Sequence, residues 1–140
     1  MRVIVALIML ICLPVMSGCS AFGNTEAKKQ AVAAAEAWLR IVDETRYARS
    51  WAEAASFFRS AVTEEQWLKS MQTFRKPLGR NLSRKIKSRR YRTEMPGAPD
   101  GEYVVIQFKS SFENKKSCVE TVTPMRDEDG KWRVSGYYIK

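Results

Sequence analysis

In the C-terminal half, segments in which apolar and polar residues alternate are separated by short polar turns. This pattern constrains the fold more than any other feature of the chain. The stretch "EYVVIQFKSSFE" places Val104, Ile106, Phe108 and Phe112 on one side, as a half-buried strand requires. "SCVETVTPM" follows after the turn "NKK", and "KWRVSGYYI" follows after "DEDG". Because turns this short join neighbouring antiparallel strands, the three segments predict a meander.

Two details complete the predicted sheet. An earlier strand is predicted in "LSRKIKSRRYRT", which alternates imperfectly, and the loop "EMPGAPDG" with two Pro and two Gly separates it from the meander. In the last strand, Trp132, Val134 and Tyr138 are predicted to share a face opposite Arg133 and Tyr137.

The N-terminal half has helical periodicity instead. "EAKKQAVAAAEAWLRIVDE" carries apolar residues at three- and four-residue steps, and Thr25 is its predicted N-cap. A second helix is predicted through "ARSWAEAASFFRSAV". A third starts at Thr63 with the capping box "TEEQ" and ends at Pro77 and Gly79. Its predicted inward row is Trp67, Met71 and Phe74.

Helices followed by strands indicate an α+β fold. We expect the N-terminal helices to pack on the concave face of a curved, four-stranded antiparallel sheet. The 140 residues are 45% hydrophobic, which suits one small domain at residues 29–140.

The first residues have the pattern of an export signal. Met1-Arg2 supplies a positive charge, and residues 3–15 are almost wholly apolar, a run too short to cross a bilayer comfortably. The stretch "VMSGCS" resembles the lipobox of bacterial lipoproteins. That resemblance implies a lipoprotein signal peptide at residues 1–18, diacylation of Cys19 with fatty acids such as palmitate, and a lipidated tether at 19–28. A plain cleaved signal or an uncleaved anchor helix are the alternatives.

Composition excludes several kinds of site. The chain has no histidine, so His-dependent catalytic triads are excluded. Of its three cysteines, Cys12 lies in the leader and Cys19 is the predicted lipid site, which leaves Cys118 alone. No zinc-binding spacing is present, and we expect no metal and no cofactor.

Positive charge is concentrated in one segment. Residues 75–92 contain nine Lys/Arg and no acid, whereas the rest of the mature chain is close to neutral. These side chains are either solvent-exposed charges that protect an edge strand from pairing with another strand, or an anion-binding surface. The anion-binding candidates are Arg80, Arg84, Lys85, Lys87, Arg89, Arg90 and Arg92.

Aromatic residues are numerous enough to line a ligand pocket, although aromatics at these spacings more often form the core. The pocket candidates are Trp38, Trp51, Trp67, Tyr103, Trp132 and Tyr138. Glu120, the only acid in the middle of a predicted strand, is expected to pair with a Lys or Arg. Cys118 is expected to be a buried, unreactive side chain, since nothing nearby lowers its pKa.

The stretches "AWLRIVDETRYARSW", "PGAPDGEYVVIQF", "ETVTPM" and "WRVSGYYI", in this order, resemble the bacterial domain of unknown function 4019 family. The resemblance covers roughly residues 29–140. It implies a small exported or lipid-anchored protein with no assigned activity, and a fold similar to the cystatin-like and nuclear-transport-factor-like cones. It supplies no catalytic residue.

The leading hypothesis is a non-catalytic binding protein of the bacterial cell envelope, anchored by its N-terminal lipid in the outer membrane and facing the periplasm. Its expected partners are an anionic lipid or another envelope polyanion, and a protein partner is left open. We expect no nucleic-acid partner, because export separates the protein from nucleic acid, although its charge alone would permit binding. The alternatives are a carrier of small apolar ligands inside the cone, and an enzyme with a buried acid or Cys118 in an accessible cleft.

Overall fold

The computed structural model describes the backbone of residues 19–140 and the side chains of residues 24–140. The predicted leader at 1–18 and the side chain of Cys19 lie outside the described residues. Among the residues described, no helix is long and apolar enough to span a membrane.

Helices and short helical turns precede a single sheet, which confirms the α+β class. The helices are α1 (Cys19–Asp43), α2 (Tyr47–Ala52), α3 (Ser56–Ala61) and α4 (Glu64–Ser70), followed by a π-helical turn (Met71–Arg75) and a 3-10 turn (Lys76–Leu78). The strands are β1 (Asn81–Arg92), β2 (Tyr103–Phe112), β3 (Lys115–Arg126) and β4 (Trp132–Ile139). Their order is β1-β2-β3-β4 with every pair antiparallel, so the predicted meander is confirmed, and β1 is an edge strand.

The core lies between the helices and one face of the sheet. Small residues on α1, such as Ala31 and Ala35, are fully buried and let the helix approach the strands closely. From the sheet, Val104, Ile106 and Phe108 pack against it, which confirms the alternation predicted for β2.

Two predicted helix boundaries are wrong. Helix α1 begins at Cys19, so Thr25 lies inside the helix rather than at its N-cap, and the helix includes the predicted tether. No proline interrupts residues 19–25, so nothing there stops the helix. The second predicted helix is divided into α2 and α3, because the Ala55 N–H donates to the Val134 carbonyl on β4 (2.8 Å) and Asp127 caps the backbone N–H of Ser56 (3.0 Å).

The start of α4 is confirmed, but its inward row is only partly correct. Thr63 and Gln66 form the reciprocal capping box, and Trp67 and Met71 are buried. Phe74 is 73% exposed, and Arg75 is buried in its place. The cause is the π-helical turn, whose wider spacing shifts the inward position by one residue.

A similar shift of phase occurs in β4. Between Thr123 and Pro124 the register with β4 jumps from Gly136 to Val134, which marks a β-bulge. Val134 is buried as predicted, but beyond the bulge Tyr137 faces the helices and Tyr138 is 58% exposed. The predicted inward position of Tyr138 is therefore wrong.

Candidate functional site

A buried carboxylate at the centre of the sheet gathers one side chain from each of the other three strands. Glu120 on β3 is fully buried. Its Oε1 accepts hydrogen bonds from Arg84 Nε (2.7 Å) and Ser110 Oγ (2.5 Å), and its Oε2 accepts them from Arg84 Nη2 (3.2 Å) and Tyr137 Oη (2.6 Å). The expected pairing of Glu120 with a basic residue is confirmed.

Asp43 and Arg75 extend this cluster to the helices. Asp43, at the end of α1, accepts two hydrogen bonds from Arg84 (2.7 and 3.0 Å) and one from Arg75 Nη2 (3.0 Å). The guanidinium of Arg75 also lies over the Phe112 ring, with Cζ 4.4 Å from its centroid. Two carboxylates thus balance two guanidinium groups, and we call these four residues with Ser110 and Tyr137 the ion cluster.

Contacts within the ion cluster shift the pKa values of two of its groups, Arg84 and Tyr137. Burial lowers the pKa of Arg84, but hydrogen bonds from its guanidinium to Asp43 and Glu120 outweigh burial, and the pKa is raised overall. Burial and the adjacent Glu120 charge raise the pKa of the Tyr137 phenol well above its usual value, so this phenol stays a donor at neutral pH. Each Glu120 oxygen thus accepts two hydrogen bonds from side chains of the cluster.

Cys118 is buried, as expected, and its thiol donates to the Ser110 carbonyl (Sγ to O 3.4 Å). Burial raises the pKa of this thiol, which keeps it in the unreactive protonated form. Within the described residues, no group of three or more His, Cys, Asp or Glu side chains is placed to hold a metal ion.

A basic groove of about 860 Å³ runs between α1 and β1. Its cations are Lys28 and Lys29 from the helix and Lys87 and Arg89 from the strand, and no acidic residue lines it. Lys87 lies at a second β-bulge, where the register with β2 shifts between Ile86 and Ser88. The bulge places Lys87 next to the groove. Arg89 also borders the groove, because it lies on the helix side of the sheet opposite Ile106.

The remaining anion-binding candidates are placed differently. Arg84 is held inside the ion cluster, and Arg80, whose side chain is 83% exposed, pairs with Glu113 (2.7 Å). Lys85, Arg90 and Arg92 are exposed and form no ion pair within the described part of the chain. The structure therefore brings two of the seven candidates, Lys87 and Arg89, together with two helix lysines that sequence reasoning missed.

Most of the aromatic pocket candidates are packing residues. The indole N–H groups of Trp38 and Trp67 donate to Ser50, and that of Trp51 donates to the Val62 carbonyl. Tyr103 packs in a second cluster with Ala55 and Met125, and Trp132 is half-buried beside the main core. Trp38 and Trp132 also line an open pocket of about 430 Å³ formed by α1, α2 and β4.

Two further candidates, Trp67 and Tyr138, border an apolar cleft of about 290 Å³ between the end of the helical segment, the start of β3 and the end of β4. Its full lining is Trp67, Ser70, Met71, Phe74, Arg75, Leu78, Lys115, Tyr137, Tyr138 and Ile139. Arg75 and Tyr137, which belong to the ion cluster, also line this cleft. Neither was a sequence candidate, because both reach their positions through the two shifts of phase.

Comparison with known proteins gives a family and nothing more specific. Residues 34–137 match the family described as "Protein of unknown function (DUF4019)". No curated protein and no solved structure matches the chain significantly.

Proposed function

The chain belongs to the DUF4019 family of proteins of unknown function, and from that premise we propose that it is a lipid-anchored, non-catalytic binding protein of the bacterial cell envelope. In this proposal Cys19 carries the lipid that holds the protein at the outer membrane, facing the periplasm. The basic groove binds the phosphate groups of anionic lipid headgroups.

The observation that carries the proposal is the convergence of four cations on one groove. Lys28, Lys29, Lys87 and Arg89 come from two elements, and no acidic side chain lines the space between them. None of the four forms an ion pair within residues 24–140. If the charges served only to protect the edge strand β1 from pairing with another strand, the cations on β1 would suffice. The lysines on α1 do not shield that edge.

The position of the groove along α1 suits a membrane-anchored protein. Lys28 follows Cys19 by nine residues, which is about 14 Å along the helix axis. Tilting of the helix would shorten that distance toward the screening length of about 8–10 Å at physiological salt. Basic residues at such a distance from an anionic surface each contribute about 1 kcal/mol of attraction.

The non-catalytic part of the proposal is supported by the ion cluster and Cys118. The buried acid is saturated with hydrogen bonds, and the only described cysteine in the core is protonated. The alternative, a carrier of small apolar ligands, would use the open pocket that Trp38 and Trp132 line between the helices and β4.

Vesicle binding tests the groove. A chain beginning at Asn24 retains all the core residues described, so we expect it to fold and to bind phosphatidylglycerol vesicles but not phosphatidylcholine vesicles. Lys87→Gln with Arg89→Gln should weaken binding by about 30-fold, because two contributions of about 1 kcal/mol are lost. Co-sedimentation over a salt series measures both effects.

The matched control is Lys69→Gln with Lys76→Gln, which removes two exposed charges outside the groove. Equal weakening by both pairs would show that only net charge matters and would reject the groove. Binding to inorganic polyphosphate without binding to vesicles would make the partner an envelope polyanion instead of a lipid.

Metabolic labelling tests the anchor. We expect radioactive palmitate to enter the full chain in its native bacterium and Cys19→Ala to abolish incorporation, because the thioether needs this sulfur. Cys118→Ala is the matched control and should keep the label, since that thiol is buried in the core. Label that persists in Cys19→Ala would contradict lipidation at this residue.

A further inference from the structure

The apolar cleft has two walls of different origin. The π-helical turn and the residues around it supply Met71, Phe74 and Leu78, and the end of β4 supplies Tyr137 and Ile139. Because Asp43 contacts Arg75, the cleft lies near the C-terminal end of α1, about 36 Å along that helix from Cys19. The cleft is therefore separate from the basic groove and from the proposed membrane contact.

The rim of the cleft exposes large apolar side chains that the fold leaves uncovered. Phe74 is 73% exposed and Tyr138 is 58% exposed. They are two of the four large hydrophobic residues that are exposed within residues 24–140. Covering apolar surface is favourable because it removes that surface from water. An apolar group seated in the cleft would gain this contribution without any rearrangement of the core.

The lining of the cleft carries an uncompensated positive charge at Lys115, whereas Arg75 is already paired. Arg75 has a side chain only 4% exposed, with Nη1 donating to the Gly79 carbonyl and Nη2 to Asp43. Its Nε is buried and is not exposed to the open space of the cleft. Lys115 adds a second cation to the lining, which contains no acidic residue.

We propose that this cleft binds a medium-chain monocarboxylate. The carboxylate pairs with the exposed ammonium group of Lys115, and the alkyl chain packs against Met71, Phe74 and Ile139. The volume of about 290 Å³ lies at the lower limit of small-molecule sites, which suits one short chain rather than a ring system or a diacyl lipid. This inference does not depend on the proposed function of the basic groove.

Photo-crosslinking in native membranes tests the site with the full chain. The probe is a decanoic acid carrying a diazirine near the end of its chain, and mass spectrometry locates the crosslinks. We expect crosslinks on cleft residues, competition by unmodified decanoate, and about tenfold less labelling in Phe74→Ala, which removes one large apolar contact. Lys115→Gln should also reduce labelling, and the methyl ester of the probe should label poorly because it lacks the charge.

The matched control is Leu82→Ala, which removes an exposed apolar side chain on β1 and should leave labelling unchanged. Since Phe74 is exposed, its replacement should preserve the circular dichroism spectrum. Equal labelling by the acid and the ester, or labelling that Phe74→Ala does not reduce, would overturn the proposal. Crosslinks confined to residues outside the cleft would overturn it as well.

Discussion

Replacing Glu120 with alanine should lower the free energy of unfolding by about 3–5 kcal/mol, because it leaves the buried guanidinium of Arg84 with only one of its two carboxylates. It also removes the acceptor of Ser110 and Tyr137. For a domain of this size the melting temperature should fall by about 10–20 °C. Thermal and urea unfolding followed by circular dichroism measure the loss.

Glu53→Ala is the matched control, since Glu53 forms an exposed ion pair with Arg49 on the surface. Its cost should be about 0.5 kcal/mol or less. The double replacement Glu120→Leu with Arg84→Met should recover much of the loss, because an apolar pair can substitute for a buried ion pair. A cost of Glu120→Ala as small as that of Glu53→Ala would show that the ion cluster is not part of the folded core.

Replacing Tyr137 with alanine should lower the free energy of unfolding by about 2–4 kcal/mol, because its half-buried ring packs against the main core. Its ring packs edge-on against Trp38 at 5.3 Å between centroids and against Trp67 at 6.4 Å. Its hydroxyl donates to Glu120, so the replacement also leaves that carboxylate one donor short. Urea unfolding compares the variant with the wild type.

Tyr138→Ala is the control next in sequence, and it should cost less than about 1 kcal/mol because this ring is mostly exposed. The contrast tests the β-bulge directly. If Tyr138→Ala were the costly change and Tyr137→Ala the mild one, β4 would follow uninterrupted alternation and the bulge would be absent.

Much of the fold was accessible from local patterns. The capping box at Thr63 needs only residues three apart, and the alternation of β2 needs only its own ten residues. The order of the meander follows from turn length, because a short connection leaves adjacent antiparallel pairing as the simplest arrangement. Glu120 could be singled out because an acid in an otherwise apolar strand requires a partner.

The candidate sites were less accessible, because they depend on shifts of phase. The π-helical turn moves Arg75 inward and Phe74 outward, and the bulge does the same for Tyr137 and Tyr138. Each adds one residue to a regular repeat, and a periodicity argument assumes that no residue is added. The π-helical turn and the bulge in β4 are apparent only in the tertiary structure, where the two segments pack on either side of the cleft.

For the basic segment at residues 75–92, the sequence likewise does not show which charged side chains are paired. Its composition indicated an anion-binding surface, but composition does not distinguish Arg84, which is tied to Asp43 and Glu120, from Arg89, which lines the groove. The second wall of the groove, Lys28 and Lys29, is almost sixty residues away in the chain.

The sequence by itself determined the four strands, the order of helices before strands and the family, since periodicity, caps and turns act over a few neighbouring residues. Only the tertiary structure decided which cations are paired, which aromatics are exposed and where a groove or a cleft remains. Those outcomes depend on contacts between residues far apart in the chain, and one residue added to a helix or strand turns a buried position into an exposed one.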